Sequence, residues 1–382
     1  MTRSPVFHGF ALCTLILGVL LIWVGAAVTT TGSGMAFSDW PLSNGSVNPP
    51  GWLSFPPQLL EHGHRLLATL VGLCALTMFL WQWRSMEKAP ALTPVLLIVG
   101  FLALFTFVHV ADGLYKGSEK SLVEFFRAKG VHPGLLWSVS GIIFGAVLIW
   151  LFKGLATWRW PLLLKLSASA LVVVVLQAVL GGLRVLEVSD PFGVAHGCLG
   201  QFLFCLLISI ALASSESWRT RREWPMSGGN LASLAQWATV LFACICVQLL
   251  LGAIVRHTQR TGLAATDLLT TGGQLVPSVS PVAMFTIFLH KAWGTVVFCL
   301  AILTALKALA PLKEAGWVSW LPKALLVLPV IQVTLGVYVV LTNKKFWVTN
   351  FHVINGLLTL GIAFVLMVML RARLGATRHA IR

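Results

Sequence analysis

Four histidines stand at matched places in a sequence that partly repeats itself: His64 and His196, then His290 and His352. His64-Arg65 is echoed by His290-Lys291, while Gln177 precedes His196 by 19 residues and Gln332 precedes His352 by 20. A neutral imidazole nitrogen is a good ligand for iron. Two histidines on facing helices of a bundle can clamp a haem iron from both sides, with the apolar bundle as a dry slot. The plain alternative is four separate core histidines, each satisfied by a neighbouring carbonyl; recurrence in register favours ligation. His132 competes with His196 for the late position, since its distance from His64 is close to that between His290 and His352. Its surroundings, AKGVHPGLLW, lack the upstream Gln and Leu-Gly pattern, so His196 is preferred. His8 and His379 are terminal, and His62, His109 and His257 have no histidine at the repeated position.

Charged neighbours divide the two sets. Glu61 lies three residues before His64, a spacing that puts carboxylate and imidazole on one helical face. The second set has Ile287 at the equivalent place, so any carboxylate chemistry belongs to the first set and electron transfer to the second. An interfacial role for Glu61 is the bland reading. Arg65 and Lys291 are candidates for pairing with haem propionates, as are Arg184 and Arg256. Snorkelling to lipid headgroups is their alternative.

The elements that must position these residues are apolar helices. Of the 382 residues, 57% are hydrophobic and only 10% charged, too few to solvate a soluble protein of this size. A mean hydropathy of +0.88 fits a chain solvated by lipid. The net charge of +15 sits in short clusters between apolar runs, so it reads as membrane orientation and excludes a nucleic-acid partner. The seven cysteines fall in apolar segments without CxxC spacing, against iron–sulfur or covalent haem attachment. Cys244 and Cys246 point about 200° apart on a helix and read as core residues.

Ten runs are long enough to span a bilayer, at about 8–29, 60–82, 92–110, 131–152, 162–183, 193–214, 234–255, 283–307, 319–341 and 350–371. The first follows MTRSP and is read as a spanning helix rather than a signal peptide. Alternate connections carry Arg84 and Lys88, then Lys153, Arg159 and Lys165, then Arg219, Arg221 and Arg222, then Lys307, Lys313 and Lys323, with an Arg-rich tail from Arg371. The positive-inside rule then puts both termini in the cytoplasm. The loop from Thr30 to Gln58 has no lysine or arginine and belongs outside.

The repeat organises the spans. GAAVTTTGSGMAFSDWPLSNGSVNPP from Gly25 is similar to GAIVRHTQRTGLAATDLLTTGGQLVP from Gly252, aligning Asp39 with Asp267, Gly45 with Gly273 and Pro49 with Pro277. His64 and His196 lie 132 residues apart and His290 and His352 only 62, an excess of 70 that fits two inserted helices with their loops. An even insertion preserves direction, so the expected fold is an all-α polytopic membrane protein of two parallel-repeat four-helix bundles plus an inserted pair. Residues 1–222 would form the first half, with the insertion at about 90–160, and residues 223–382 the second.

With TGSG (Thr31 to Gly34), DWPLSNG (Asp39 to Gly45), EHGHRLLATLVG (Glu61 to Gly72), LQAVLGGLRVL, AHGCLG, QLLLGAIVRHT, FLHK and FHVINGLL in view, the chain resembles the heme A synthase family. The resemblance covers nearly everything except about residues 90–160. It implies an oxidoreductase of the inner (cytoplasmic) membrane that takes haem o as substrate between His64 and His196. It also implies a haem b between His290 and His352. The implied reaction oxidises the C8 methyl group of haem o to a formyl group by successive hydroxylation with water, electrons passing to an acceptor. Glu61 would be the catalytic carboxylate. A haem o synthase, terminal oxidase assembly proteins, membrane lipid and a second copy of the chain are the implied partners.

The sequence departs from the family pattern where many members carry a cysteine pair in the first outer loop; Phe37 and Ser43 stand there. The second loop has Asp267-Leu268-Leu269 in place of DWP. An iron held by two histidines also has no open position for oxygen. Either one ligand leaves during turnover, or the iron removes electrons while the ring is oxidised elsewhere. The competing functions are a dihaem cytochrome b that passes quinol electrons without modifying haem, and a transporter.

Overall fold

The computed structural model describes residues 4–86, 160–187, 190–220, 230–257, 267–279 and 282–380. The expected spans 92–110 and 131–152, with His109, His132, Lys88, Lys153, Arg159, Arg221 and Arg222, lie outside the described residues. The described residues form helices and turns without strands. The helices are α1 (Pro5–Thr30), α2 (Pro56–Arg84), α3 (Leu162–Glu187), α4 (Asp190–Ser214), a short α5 (Glu216–Thr220), α6 (Leu231–His257), α7 (Val282–Leu309), α8 (Trp320–Leu341) and α9 (Phe346–Ala380). Eight helices among these residues are long and apolar enough to cross a membrane. The shortest span of 24 residues reaches about 36 Å at 1.5 Å per residue, beyond the ~30 Å hydrocarbon core.

Helix ends extend past the apolar runs for local reasons. Pro5 and Pro56-Pro57 open α1 and α2, where a missing N–H costs nothing. Helix α9 continues to Ala380, beyond the apolar stretch, through basic last turns that contain no proline. Pro329 sits inside α8, which neighbouring helices make tolerable in a membrane. Between α8 and α9 the chain turns through Asn343 and Lys344, both at positive φ, with the Lys344 N–H returning to the Val339 carbonyl at 2.8 Å.

The chain falls into two compact units: Gly32–Val188 with Met1–Thr2, and Arg3–Thr31 with Ser189–Arg382. In the first, α2 packs on α3 through Val71, Ala75, Met78 and Phe79, while Leu66, Leu70 and Leu73 form an exposed stripe suited to lipid. Gly72 admits Val174, which would stand 3.3 Å from an added Cβ. The second unit packs α1, α4 and α6–α9 around Ala235, Ala238, Leu241, Ala301, Ala305, Leu357, Leu360, Ala363 and Leu366. Hydrocarbon on both sides of an interface removes the hydrophobic drive, so small residues that let helices approach closely carry the association. Gly18 and Gly361 do this for α1 and α9, seating Leu207 and Phe204 of α4.

Candidate functional site

The second unit contains three of the four expected histidines, His196 on α4, His290 on α7 and His352 on α9. His290 and His352 each lie against a neighbouring helix of that unit, α6 for the first and α8 for the second. Each ring rests where a glycine leaves room: an added Cβ at Gly252 would lie 3.0 Å from His290 Cε1, and one at Gly336 3.2 Å from His352 Cε1. One turn before each of these glycines stands a glutamine that faces the same ring. Gln248 Nε2 is 3.2 Å from His290 Nδ1 and donates to the His290 carbonyl at 3.0 Å. Gln332 Nε2 is 3.3 Å from His352 Nδ1 and 3.2 Å from its Nε2. A four-residue step keeps side chains on one helical face, so glutamine and glycine form one docking strip for the imidazole. Arg256, on the same helix as Gln248, donates to the Ala26 carbonyl and to Thr30 Oγ1, anchoring the end of α1.

The first unit holds His64 with Glu61 and Arg65. Glu61 is 3% exposed. Its Oε2 accepts the Phe37 N–H at 3.0 Å, and its Oε1 pairs with Arg65 Nη2 at 2.5 Å. Arg65 Nη1 donates to the carbonyls of Asp39 at 2.8 Å and Leu42 at 2.5 Å. At the repeated position, Lys291 Nζ donates to the carbonyls of Asp267 at 2.6 Å and Thr270 at 2.9 Å. The two expected propionate partners therefore both pin a loop, three residues apart in each case.

Those loops fold alike. Ser43 and Ser46 bracket Asn44-Gly45, and Thr271 and Gln274 bracket Gly272-Gly273, each bracket closed by a pair of backbone bonds. Both central residues have positive φ in each turn, the geometry for which Asn-Gly and Gly-Gly are suited. Asp39 accepts the N–H groups of Asn44 and Gly45, and Asp267 that of Gly273, all at 2.8 Å. Trp40 of the first loop lies on Gly182 of α3, 2.6 Å from where a Cβ would stand.

A flat, iron-bearing macrocycle would need imidazoles with small neighbours, and the second unit has them at His290 and His352. The second pair is seated on glycines inside one unit, and Ile287 replaces Glu61 there as a buried apolar wall. His64 and His196 belong to different compact units, so their partnership rests on the sequence repeat alone.

Residues 135–364, more than half of the chain, match the profile of the family described as cytochrome oxidase assembly protein. The chain belongs to that family. Among curated relatives, it is 40% identical over 92 residues to a protein named heme A synthase from Shouchella clausii, covering 23% of this chain and 30% of the relative. The heme A synthase of Geobacillus kaustophilus is 32% identical over 142 residues, 37% of this chain and 41% of the relative. That of Lysinibacillus sphaericus is 32% identical over 150 residues, 39% and 45% of the two chains. The chain thus aligns with less than half the length of each.

In this family member the two loop positions without cysteine are filled differently. Phe37 is 1% exposed and lies beneath the Arg65 guanidinium, 5.7 Å from carbon to ring centre. Ser43 Oγ bonds His62 Nδ1 at 2.9 Å, and Trp52 meets the His62 ring edge-on at 4.6 Å between centroids. His62, without a repeat partner, is a buried loop anchor. His8 similarly bonds Ser214 Oγ at 2.9 Å. Sequence reasoning used Gln177 and Gln332 only as landmarks and missed Gln248 and Asn355. The recurring Gln-x-x-x-Gly and His-x-x-x-Gly spacing was the available signal.

Proposed function

We propose that the protein oxidises the C8 methyl group of haem o to a formyl group, making haem a for terminal oxidases. The overall change, R–CH3 + H2O → R–CHO + 4 H⁺ + 4 e⁻, takes its oxygen from water and passes electrons to an acceptor. The observation that carries this reading is the asymmetry of two otherwise matched sites: a buried carboxylate, Glu61, precedes His64, and buried Ile287 precedes His290. The heme A synthase relatives support it.

His64 and His196 are assigned to the substrate iron and His290 and His352 to a resident haem b. Haem b would supply a one-electron relay toward the acceptor. Glu61 is assigned to the substrate, either stabilising positive charge that develops on the methyl carbon or positioning water. A carboxylate has about four lone-pair sites, and the bonds to Phe37 and Arg65 leave about two for further donors. Arg65 and Lys291 keep the outer loops folded over the helix ends that carry His64 and His290. An ammonium has three donors, of which Lys291 gives two to carbonyls, so a propionate could take the third. The reading includes an inner-membrane location with both termini cytoplasmic, and hand-over to oxidase assembly partners.

One observation favours the dihaem cytochrome reading instead: both oxygens of Glu61 already have structural partners. Haem extracted from the protein purified after co-expression with a haem o source separates the two. Haem a beside haem b supports the synthase; haem b alone supports the cytochrome; no haem at all removes both.

A further inference from the structure

The glutamines that face His290 and His352 have no part in the reading above, yet their surroundings are built. Gln248 Nε2 would stand 3.0 Å from a Cβ at Gly294, one turn after His290. Gln332 Nε2 would stand 3.3 Å from a Cβ at Gly356, one turn after His352. Each glutamine therefore occupies a notch that glycine cuts in the histidine's own helix, while each imidazole occupies a notch in the glutamine's helix. The two helix pairs, α6 with α7 and α8 with α9, carry the same reciprocal lock.

The amides are also oriented. Gln248 donates to the His290 carbonyl, which fixes its nitrogen toward that helix. Its Oε1 is buried without a hydrogen-bond partner among the described residues. Gln332 has its Oε1 held by Asn355 Nδ2 at 2.7 Å, and Asn355 donates in turn to the Leu328 carbonyl at 2.9 Å. Asn355 is 7% exposed, and nothing else about the second unit explains so polar a residue there. A buried asparagine and a carbonyl thus hold the half-buried glutamine that faces the ring.

We propose that Gln248 and Gln332 are positioning residues for the haem b of the second unit, fixing the planes of His290 and His352, with Asn355 locking Gln332. The proposal rests on the assignment of those histidines to haem b. Groups that orient a metal ligand typically change affinity by about 10- to 100-fold when removed. Gln248, held by the His290 carbonyl, and Gln332, held by Asn355, act as fixed rails against the two rings.

The test uses the full-length protein in detergent, with haem b titrated into the apoprotein and low-spin electron paramagnetic resonance of the loaded form. Gln248→Leu and Gln332→Leu are expected to weaken haem b binding about tenfold or more and to shift the low-spin signal. Asn355→Leu should shift the signal as Gln332→Leu does, and the double variant should be no worse than Gln332→Leu alone. Val333→Leu, at an exposed position beside Gln332, should behave as wild type. Wild-type affinity and signal in both glutamine variants overturn the proposal while leaving the haem assignment standing. Haem b binding that survives His290→Ala with His352→Ala overturns the assignment itself. If a leucine variant fails to fold, Gln248→Asn and Gln332→Asn carry the same spectroscopic test.

Discussion

Glu61 and Arg65, one helical turn apart on α2, form a buried ion pair at 2.5 Å whose other bonds run to the loop between α1 and α2. The candidate catalytic carboxylate is therefore also a structural one. Its backbone partner, the Phe37 N–H, and its cation, Arg65, hold the carboxylate in one orientation beside the turn that bears His64.

Charge and structure separate by substitution. Arg65→Ala leaves the buried Glu61 without its counter-charge, a change that typically costs about 3–5 kcal/mol. Thermal unfolding in detergent should show that loss. Glu61→Gln keeps an acceptor for Phe37 and should unfold much closer to wild type. If the carboxylate acts in the reaction, that same variant should lose about 10²- to 10⁴-fold in rate.

Each aspartate holds its own turn. Asp39 accepts the amides of Asn44 and Gly45, and Asp267 accepts that of Gly273. A charge-assisted hydrogen bond contributes about 1.5–3 kcal/mol, less where water competes, as at these exposed turns. Limited proteolysis should cut the first loop of Asp39→Ala, and the second loop of Asp267→Ala, about tenfold faster than wild type. Equal rates in all three proteins would remove the turn-holding role.

Gly182→Ala should disturb the first loop from a distance. The added Cβ would stand 2.6 Å from the Trp40 ring, and a rigid indole must move to admit it. Overpacking of this kind costs about 1–3 kcal/mol. A shift in Trp40 emission, compared against Trp40→Phe, is the expected readout, with no shift for Gly9→Ala, which meets open space.

Orientation is tested with cysteines. All seven native cysteines lie in helices. Val47 is 73% exposed in the first loop, and Val47→Cys should react with an impermeant thiol reagent added outside intact cells. Lys313→Cys, between α7 and α8, should react only after the membrane is opened. The reverse pattern would invert the topology.

Much of this architecture is legible from residue patterns, because lipid leaves few ways to bury an apolar run. Each described span lies within a few residues of its expected limits, and helix ends moved outward where Pro57 or a basic tail could be absorbed into a turn. The loop repeat was legible too, through Asp39 with Asp267 and Gly45 with Gly273. Less legible was what Arg65 and Lys291 hold, since a carbonyl partner leaves no trace in side-chain identity. The glutamine–histidine lock was hidden for the same reason: Gln248 and Asn355 gain meaning only when a neighbouring helix supplies the ring. The histidine pairs were read from the repeat, and the two units hold His290 and His352 together while they separate His64 from His196.

The central claim is that Glu61 and the four histidines turn haem o into haem a. Its most direct measurement is the haem content of cells expressing this chain with a haem o source, comparing wild type with Glu61→Gln. Accumulation of haem a in wild type, and its disappearance in the variant while haem b stays bound, is the predicted result. Haem o that remains unconverted by a wild-type protein carrying haem b would contradict the account.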